Sequence, residues 1–385
     1  MEKLIIMFSV FLILFGQIAY GDNGELFIID EQLDLLNLND LEDFLQDSFK
    51  ENEISPNINL RNFLKDLITG KISVSFQEIG KNLIYIFLKE LKISFSLLAK
   101  ILVITILSSI LTNLQSSFEK SSVAELANYI TYCLIGILVI TSFNEILNYA
   151  RATVDKMVDF MQAILPILLT LLTATSGPNT KILFHPLILI IVNFVGILIK
   201  NIILPLIFFS FVVSIISNIS NRLEFSKLSE LVRQVIAVVI SVALTLFIGI
   251  ITIYGFGSKI DGLTIRTAKF AVDTFIPIVG GFLSDAVEAV VSYSAILKNG
   301  IGFIGLMILL LICVTPIMKV FAVLVVYKLI SAVIQPIASS NLIEFFSQVG
   351  KSLSLVLISL ISAGTMFFIT ITIIVETGNN LLMLR

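Results

Sequence analysis

The sequence is poor in the residue types from which most catalytic and metal sites are built. It has one histidine, His185, and two cysteines, Cys133 and Cys313, in 385 residues. The cysteines lie in separate apolar runs without a cysteine or histidine at ligand spacing, which predicts small buried residues rather than a disulfide or metal site. The chain also lacks the G-x-S-x-G, Walker A, H-E-x-x-H and C-x-x-C motifs. We therefore predict that the protein is not an enzyme and has no catalytic residue, metal or cofactor.

Charged residues are also scarce. Only 14% of the residues are charged and 57% are hydrophobic, whereas a soluble domain carries about 25% charged residues. Such a chain has too few polar groups to cover its surface in water. A protein surface that faces lipid is apolar and needs no such cover. The net charge of −3 argues against nucleic acid as a partner. These properties predict an integral membrane protein that has the lipid bilayer as a partner.

Residues 1–21 have the pattern of a signal peptide. Lys3 precedes an apolar core of about a dozen residues, which is short for a membrane span. Small residues end the segment and predict cleavage before Asp22, and the alternative is an uncleaved anchor. In either case we expect residues 22–92 to lie outside the cytoplasm.

Residues 22–92 form a polar segment with 14 Asp and Glu against 7 Lys and Arg. Apolar side chains recur at helical spacing in 38–49, 60–68 and 72–92, and the last stretch resembles an interfacial helix lying on lipid. The acidic front, residues 22–53, is either a docking surface for a partner or a solvated helical cap. The pattern predicts a small helical extracytoplasmic segment.

Residues 93–385 contain long uncharged runs that predict a membrane domain, because a span needs about 20 mostly apolar residues. Two further stretches, 274–298 and 320–343, carry charges and are either spans facing the bundle interior or re-entrant or interfacial helices. We predict an all-α polytopic transmembrane helical bundle of about seven to ten spans. The uncharged runs are 101–118, 126–144, 160–180, 182–199, 201–221, 234–258, 299–318 and 352–375.

The membrane domain also shows a weak internal repeat. The sequence FEKSSVAEL recurs 105 residues later as LEFSKLSEL. Each copy is followed by an uncharged run, a charged stretch and an apolar-Pro-Ile step, which contains Pro166 in the first copy and Pro277 in the second. We predict two repeats, 119–223 and 224–343, with one extra span on each side. Units with an even number of spans would be parallel, and units with an odd number would be inverted.

The densest polar region within apolar sequence lies between residues 269 and 288. Its two later carboxylates are three residues apart and share a helix face, while a proline and a glycine pair weaken the helix. A broken helix with carboxylates inside a membrane is costly unless it faces protein or water, so we predict a pore or structural site. The alternative is an interfacial amphipathic helix with its carboxylates in water. The candidate residues are Asp273, Pro277, Gly280, Gly281, Asp285 and Glu288.

Other charges in the membrane domain favour ordinary structural roles. Asp155 and Asp159 precede the uncharged run 160–180, so we predict a solvated face rather than a site. Lys200 lies at the end of a run, where its long side chain is expected to extend to the headgroups.

The stretch from Lys269 to Gly302, KFAVDTFIPIVGGFLSDAVEAVVSYSAILKNGIG, resembles the signature region of the stage III sporulation protein AE family of endospore-forming bacteria. The order of signal sequence, polar segment and polytopic body is similar as well. The resemblance implies a membrane-embedded component of a secretion-like channel complex, or feeding tube. Such a complex links the mother cell and the forespore and is required for forespore development. The resemblance supplies no catalytic residue.

The resemblance also implies partners and a location. The partners would be other stage III sporulation operon proteins, namely an ATPase, ring-forming subunits and small membrane subunits, and a forespore membrane partner across the intermembrane space. The location would be the cell membrane, as a multi-pass protein of the mother-cell membrane around the forespore. The alternative function is a stand-alone secondary transporter or permease with broken helices, which an internal repeat would suit.

Neutralising two carboxylates of the candidate site together, as Asp285→Asn with Glu288→Gln, should lower spore counts in the native host. The reason is that ionisable groups are retained within membranes mainly for function. Immunoblotting of membranes controls for loss of the protein. Unchanged spore counts at a normal protein level would favour the interfacial helix instead.

Overall fold

Long α-helices make up the part of the chain that the computed structural model describes, which is residues 41, 42, 44, 76–116, 121–176, 178–219, 226–275, 279–336, 338 and 340–377. No strand occurs in these ranges, which confirms the predicted all-α class. Apolar segments become helical in lipid because a helix satisfies its backbone hydrogen bonds internally. The elements are α1 Phe76–Ser116, α2 Ser121–Ser176, α3 Pro178–Ile197, a π-helical segment Leu198–Ile203, α4 Leu204–Ile219, α5 Ser226–Phe275, α6 Val279–Ile334 and α7 Ser340–Glu376.

Five of the described helical stretches are long and apolar enough to cross a bilayer, judged by length and composition. Each exceeds the length of about 20 residues that a span requires. The polytopic character predicted from the sequence is therefore confirmed. The stretches are Tyr132–Thr175, Pro186–Ser217, Lys227–Ile253, Val290–Ile334 and Ser340–Glu376.

Several predicted boundaries between uncharged runs are not helix ends. The runs 126–144 and 160–180 lie in one continuous helix, α2, which has 56 residues. The interfacial stretch 72–92 and the first uncharged run likewise meet within α1, which begins at Phe76. The physical reason is that no glycine or proline lies between the runs, and glutamate, arginine and lysine are good helix formers, so charge interrupts hydropathy without interrupting the helix.

The helices α6 and α7 form an antiparallel pair. Gly302 on α6 faces Val375 near the end of α7, whereas Cys313 faces Gly364, which lies earlier in α7. Numbers that rise along one helix fall along the other, as antiparallel packing requires. Glycine at these points removes the side chain that would keep the two helices apart.

The remaining described helices follow two directions. On α6, Gly305 contacts Ile164 of α2, and Lys319 lies over the ring of Tyr149, so α2 is antiparallel to α6. The helix α5 runs parallel to α7, because Arg233 binds Gln348 and, further along both helices, Ile240 and Ser359 line one small cavity. Thus α2, α5 and α7 share one direction.

The predicted repeat 119–223 and 224–343 stays a prediction, but two features bear on it. The helices α2, α5 and α7 begin at Ser121, Ser226 and Ser340, and each has a glutamate four residues later. Their common direction is the one expected for parallel units. The matched prolines cannot be compared, since Pro166 lies inside α2 and Pro277 lies outside the described residues.

A part of the N-terminal polar segment packs against the membrane body. Leu41 is 1% exposed, and the ring of Phe44 lies 5.5 Å from the ring of Phe160 in α2. The apolar side of the stretch 38–49 is therefore buried at Leu41, as its spacing predicted. The signal peptide predicted at residues 1–21 lies outside the described residues.

The glycine contact between α6 and α7 predicts a stability difference between two alanine variants. A Cβ on Gly302 would collide with the stiff side chain of Val375, whereas a Cβ on Gly249 of α5 would meet nothing within 4 Å. Overpacking costs about 1–3 kcal/mol. Gly302→Ala should therefore lower the midpoint of thermal unfolding in detergent. Gly249→Ala is the matched control, because it changes helix propensity in the same way. Equal midpoints would contradict the close contact.

Candidate functional site

The residues of the sequence-predicted site lie around the end of α5 and the start of α6. The helix α5 ends at Phe275 and α6 begins at Val279. Asp273 belongs to α5, and the glycine pair and both later carboxylates belong to α6, whereas Pro277 lies outside the described residues. The side chains of Asp273, Asp285 and Glu288, and the surroundings of Gly280 and Gly281, also lie outside the described part. The pore or structural site therefore stays a prediction.

Polar contacts connect α2 to α3 and the π-helical segment. Asp155 of α2 forms an ion pair with Lys200 of the π-helical segment. Two turns away, the Gln162 side-chain amide donates a hydrogen bond of 3.0 Å to the side-chain oxygen of Asn193. From the first contact to the second, the residue number rises by seven on α2, from Asp155 to Gln162. On the partner helix it falls by seven, from Lys200 to Asn193. The two helices are therefore antiparallel with matching polar positions.

A close backbone approach lies between these two polar contacts. A Cβ on Gly196 of α3 would be 2.7 Å from a methyl carbon of Val158 in α2. Small residues allow this kind of approach, which contributes to helix association in lipid. Just beyond Gly196 the chain becomes π-helical at Leu198–Ile203. One-turn π-helical segments are frequent at functional sites.

The pairing of Asp155 with Lys200 differs from the roles predicted for each residue. Asp155 was expected on a solvated face and Lys200 was expected to extend to the headgroups. The side chains instead meet across two helices and remain 48% and 37% exposed. The reason is the continuity of α2, which keeps its charged stretch helical and beside α3.

A cation–π contact joins α2 to α6. The amino group of Lys319 lies 4.1 Å from the centre of the Tyr149 ring. Such contacts contribute about 0.5–2 kcal/mol, with the larger values at desolvated sites. The rings of Phe143 and Phe211 stack 3.8 Å apart and connect α2 to α4. Thus α2 contacts α3, α4 and α6 along its charged stretch.

Arg233 connects three helices. From α5, its guanidinium donates to the side-chain oxygen of Gln348 in α7 and, at 2.7 Å, to the hydroxyl of Ser214 in α4. Longer contacts of 3.5 Å reach the Ser352 hydroxyl and the Gln348 carbonyl. The planar guanidinium can serve several acceptors at once, which an ammonium cannot do with the same geometry. Gln348 also donates to Glu344, so the contacts form a network.

Lys298 is a fully buried basic side chain. Its exposed fraction is 0%, and its amino group donates to the carbonyl of Thr377 just after the end of α7. The carboxyl end of a helix carries a partial negative charge, which favours a cation there. Sequence reasoning missed both Lys298 and Arg233. Lys298 directly precedes the uncharged run 299–318, so it looks like an ordinary residue at a span end.

None of the described residues forms a group of three or more His, Cys, Asp or Glu side chains that could hold a metal ion. The two cysteines lie on different helices. Cys313 is buried as predicted, whereas the prediction of a buried residue is wrong for Cys133, which is exposed. The chemistry of the described polar groups is therefore helix-to-helix contact.

Comparison with known proteins identifies the family. The model of the stage III sporulation protein AE family matches residues 58–378, a region that includes α1 to α7. The chain belongs to this family. The stage III sporulation protein AE of Bacillus subtilis (strain 168) is 36% identical over 323 residues, which cover 84% of this chain and 81% of that protein. No solved structure matches. The resemblance noted at Lys269 to Gly302 is thus confirmed.

Within this family member, Arg233 provides a direct test of helix contacts. Arg233→Met keeps the apolar stem and removes the hydrogen bonds to α4 and α7. Hydrogen bonds to a charged group contribute about 1.5–3 kcal/mol, so the variant should unfold at a lower temperature in detergent. Lys227→Met is the control, because Lys227 is 93% exposed and lies 3.7 Å from Glu230 on its own helix. Equal effects of the two variants would contradict a role in joining the helices.

Proposed function

We propose that this protein is a non-enzymatic, membrane-embedded component of a sporulation channel complex that links the mother cell and the forespore. Membership of the stage III sporulation protein AE family is the observation that carries the proposal, because the match extends over the whole described helical body. A sporulation role follows from that membership, and a multi-pass membrane protein follows from the five membrane-length stretches. The channel function goes beyond these two conclusions and is the part that we propose.

The proposed location is the mother-cell membrane around the forespore. The proposed partners are other stage III sporulation proteins, namely an ATPase, ring-forming subunits and small membrane subunits. A forespore membrane protein would be reached across the intermembrane space. The acidic front, residues 22–53, would face that space and offers a surface for docking.

The described polar side chains support a role without catalysis. Arg233, Lys298 and the pair of Asp155 and Lys200 each bind a group on another helix. Side chains engaged in this way hold helices in place and are not arranged around a substrate. A non-enzymatic scaffold for a membrane path requires contacts of this kind.

A stand-alone secondary transporter is the second candidate. The observation that favours it is the π-helical segment Leu198–Ile203, which carries Lys200 beside Asp155 between two long helices. Irregular helix geometry with ionisable groups inside the membrane is typical of transporter sites. A transporter would work without other subunits, whereas a channel component would depend on them.

Purification from sporulating cells separates the two candidates. A tagged protein is extracted from the membrane in mild detergent, and the proteins bound to it are identified by mass spectrometry. We expect other stage III sporulation proteins to co-purify, and we expect deletion of the gene to lower spore counts. The control is an unrelated tagged multi-span protein from the same membranes. Recovery of the protein alone, with solute transport by the purified protein in liposomes, would favour the transporter.

A further inference from the structure

One side of α2 is polar over a length that would cross a bilayer. Between residues 141 and 162 the exposed side chains are spaced three, four or seven residues apart, with one adjacent pair, which places them along one side of the helix. Apart from one alanine they are all polar. The exposed residues, here called the α2 polar stripe, are Thr141, Asn144, Glu145, Asn148, Ala152, Asp159 and Gln162.

The stripe contains no exposed large hydrophobic side chain. Along the described part of the chain, exposed residues of that kind stop at Ile140, which is 36% exposed, and resume only at Ile190, which is 65% exposed. The outer face of α5 is the opposite case, because Val238, Leu246 and Ile253 are 59%, 60% and 71% exposed. The surface of α5 suits lipid, and the surface of α2 does not.

The contacts of α6 fix the depth of the stripe relative to α7. Gly305 of α6 faces both Ile164 of α2 and Ile371 of α7, so these two isoleucines lie at one level. At the other end, Lys319 lies over Tyr149. On α6, Lys319 is six residues beyond Cys313, and Cys313 faces Gly364 of α7. Because α6 and α7 are antiparallel, Lys319 and the Tyr149 ring are level with a point about six residues before Gly364.

The stripe therefore runs beside the uncharged run of α7, residues 352–375. At about 1.5 Å per residue, residues 141–162 extend over about 33 Å, and the hydrocarbon core of a bilayer is about 30 Å thick. The uncharged run of α7 is the part of that helix suited to the hydrocarbon. The stripe consequently lies at the depth where lipid would surround it.

Lipid is a poor neighbour for this surface. Carboxylates such as Glu145 and Asp159 and the amide of Asn148 lose their hydration in hydrocarbon, and ionisable groups at membrane depth face protein or a water-filled cavity. Ion-pair and amide contacts with the π-helical segment and α3 continue the polar surface, at Lys200 and Asn193. These contacts hold one edge of the stripe, and the contact of Tyr149 with Lys319 of α6 lies beside the other edge.

We propose that the α2 polar stripe borders a water-filled path through the membrane, which admits hydrated ions and small polar solutes. The inference rests on the proposed function in one respect, because one helix face is one wall and the other walls would come from further copies or subunits. The fixed contacts with α3 and α6 keep the wall in position. Glu145 and Asp159 give it negative charge near both ends.

Cysteine labelling tests the path. In a chain carrying Cys133→Ser and Cys313→Ala, single cysteines replace Asn148 and Ala152 of the stripe. Val238 and Val242 are the matched control positions, since they are 59% and 50% exposed on α5. Their depth is comparable, because Arg233 of α5 binds Gln348, and Ile240 lines a small cavity with Ser359 of α7. Broken membranes from sporulating cells are treated with a charged, membrane-impermeant maleimide, and each site is also titrated after denaturation.

We expect Asn148→Cys and Ala152→Cys to react at least tenfold faster than Val238→Cys and Val242→Cys, because thiols ionise and react in water. Equally slow reaction at all four positions would overturn the proposal. Rapid labelling of the purified protein with protection in native membranes would also overturn it, by indicating that a protein surface covers the stripe. Ala152→Cys replaces one small residue by another, so it remains informative if Asn148→Cys fails to accumulate.

The labelling experiment and the test of the proposed function can fail separately. Unreactive stripe positions in a protein that co-purifies with other sporulation proteins would remove the water path and leave the complex. Reactive positions in a protein recovered alone would leave the path and remove the complex. Spore counts of the Ala152→Cys strain, compared with those of the parent, verify that the labelled protein is active.

Discussion

The close approach of α6 to its neighbours at glycine residues is the contact on which the arrangement of the bundle depends. Gly302 meets Val375 of α7, and Gly305 meets Ile164 of α2 and Ile371 of α7. In lipid, burial of apolar surface gives little drive for association, so van der Waals packing of close helices carries much of it. Once α6 is seated between α2 and α7, the levels of all three helices are fixed.

The polar contacts depend on that seating. Lys298 reaches the carbonyl of Thr377 only because α6 and α7 are antiparallel and in this register. Lys319 reaches Tyr149 for the same reason on the side of α2. A shift of either helix by one turn, about 5.4 Å, would remove both contacts and leave the buried Lys298 without its partner, which costs about 1–3 kcal/mol or more for a charged group. Packing therefore sets the register, and the two lysine contacts favour it over other registers.

The sequence predicted the class of the fold better than its contacts. Hydropathy alone predicted a multi-span all-α protein, and the signature between Lys269 and Gly302 indicated the family. The contact between Arg233 and Gln348 joins residues 115 positions apart, and that between Lys298 and Thr377 joins residues 79 apart. Such pairs follow from helix register, which local patterns do not encode. The predicted site around Asp285 awaits the test given for it.

The helix α2 has the amphipathic pattern of a helix in water while lying at membrane depth. Its buried side is apolar, with Ala150, Val154, Met157 and Phe160 at 0–1% exposure, and its exposed side is the polar stripe. A helix surrounded by lipid would need the reverse pattern on its outer face. A single copy in a bilayer would thus be unfavourable along this one surface. Assembly around a polar path removes that cost, which connects the local pattern of α2 to a role within a larger complex.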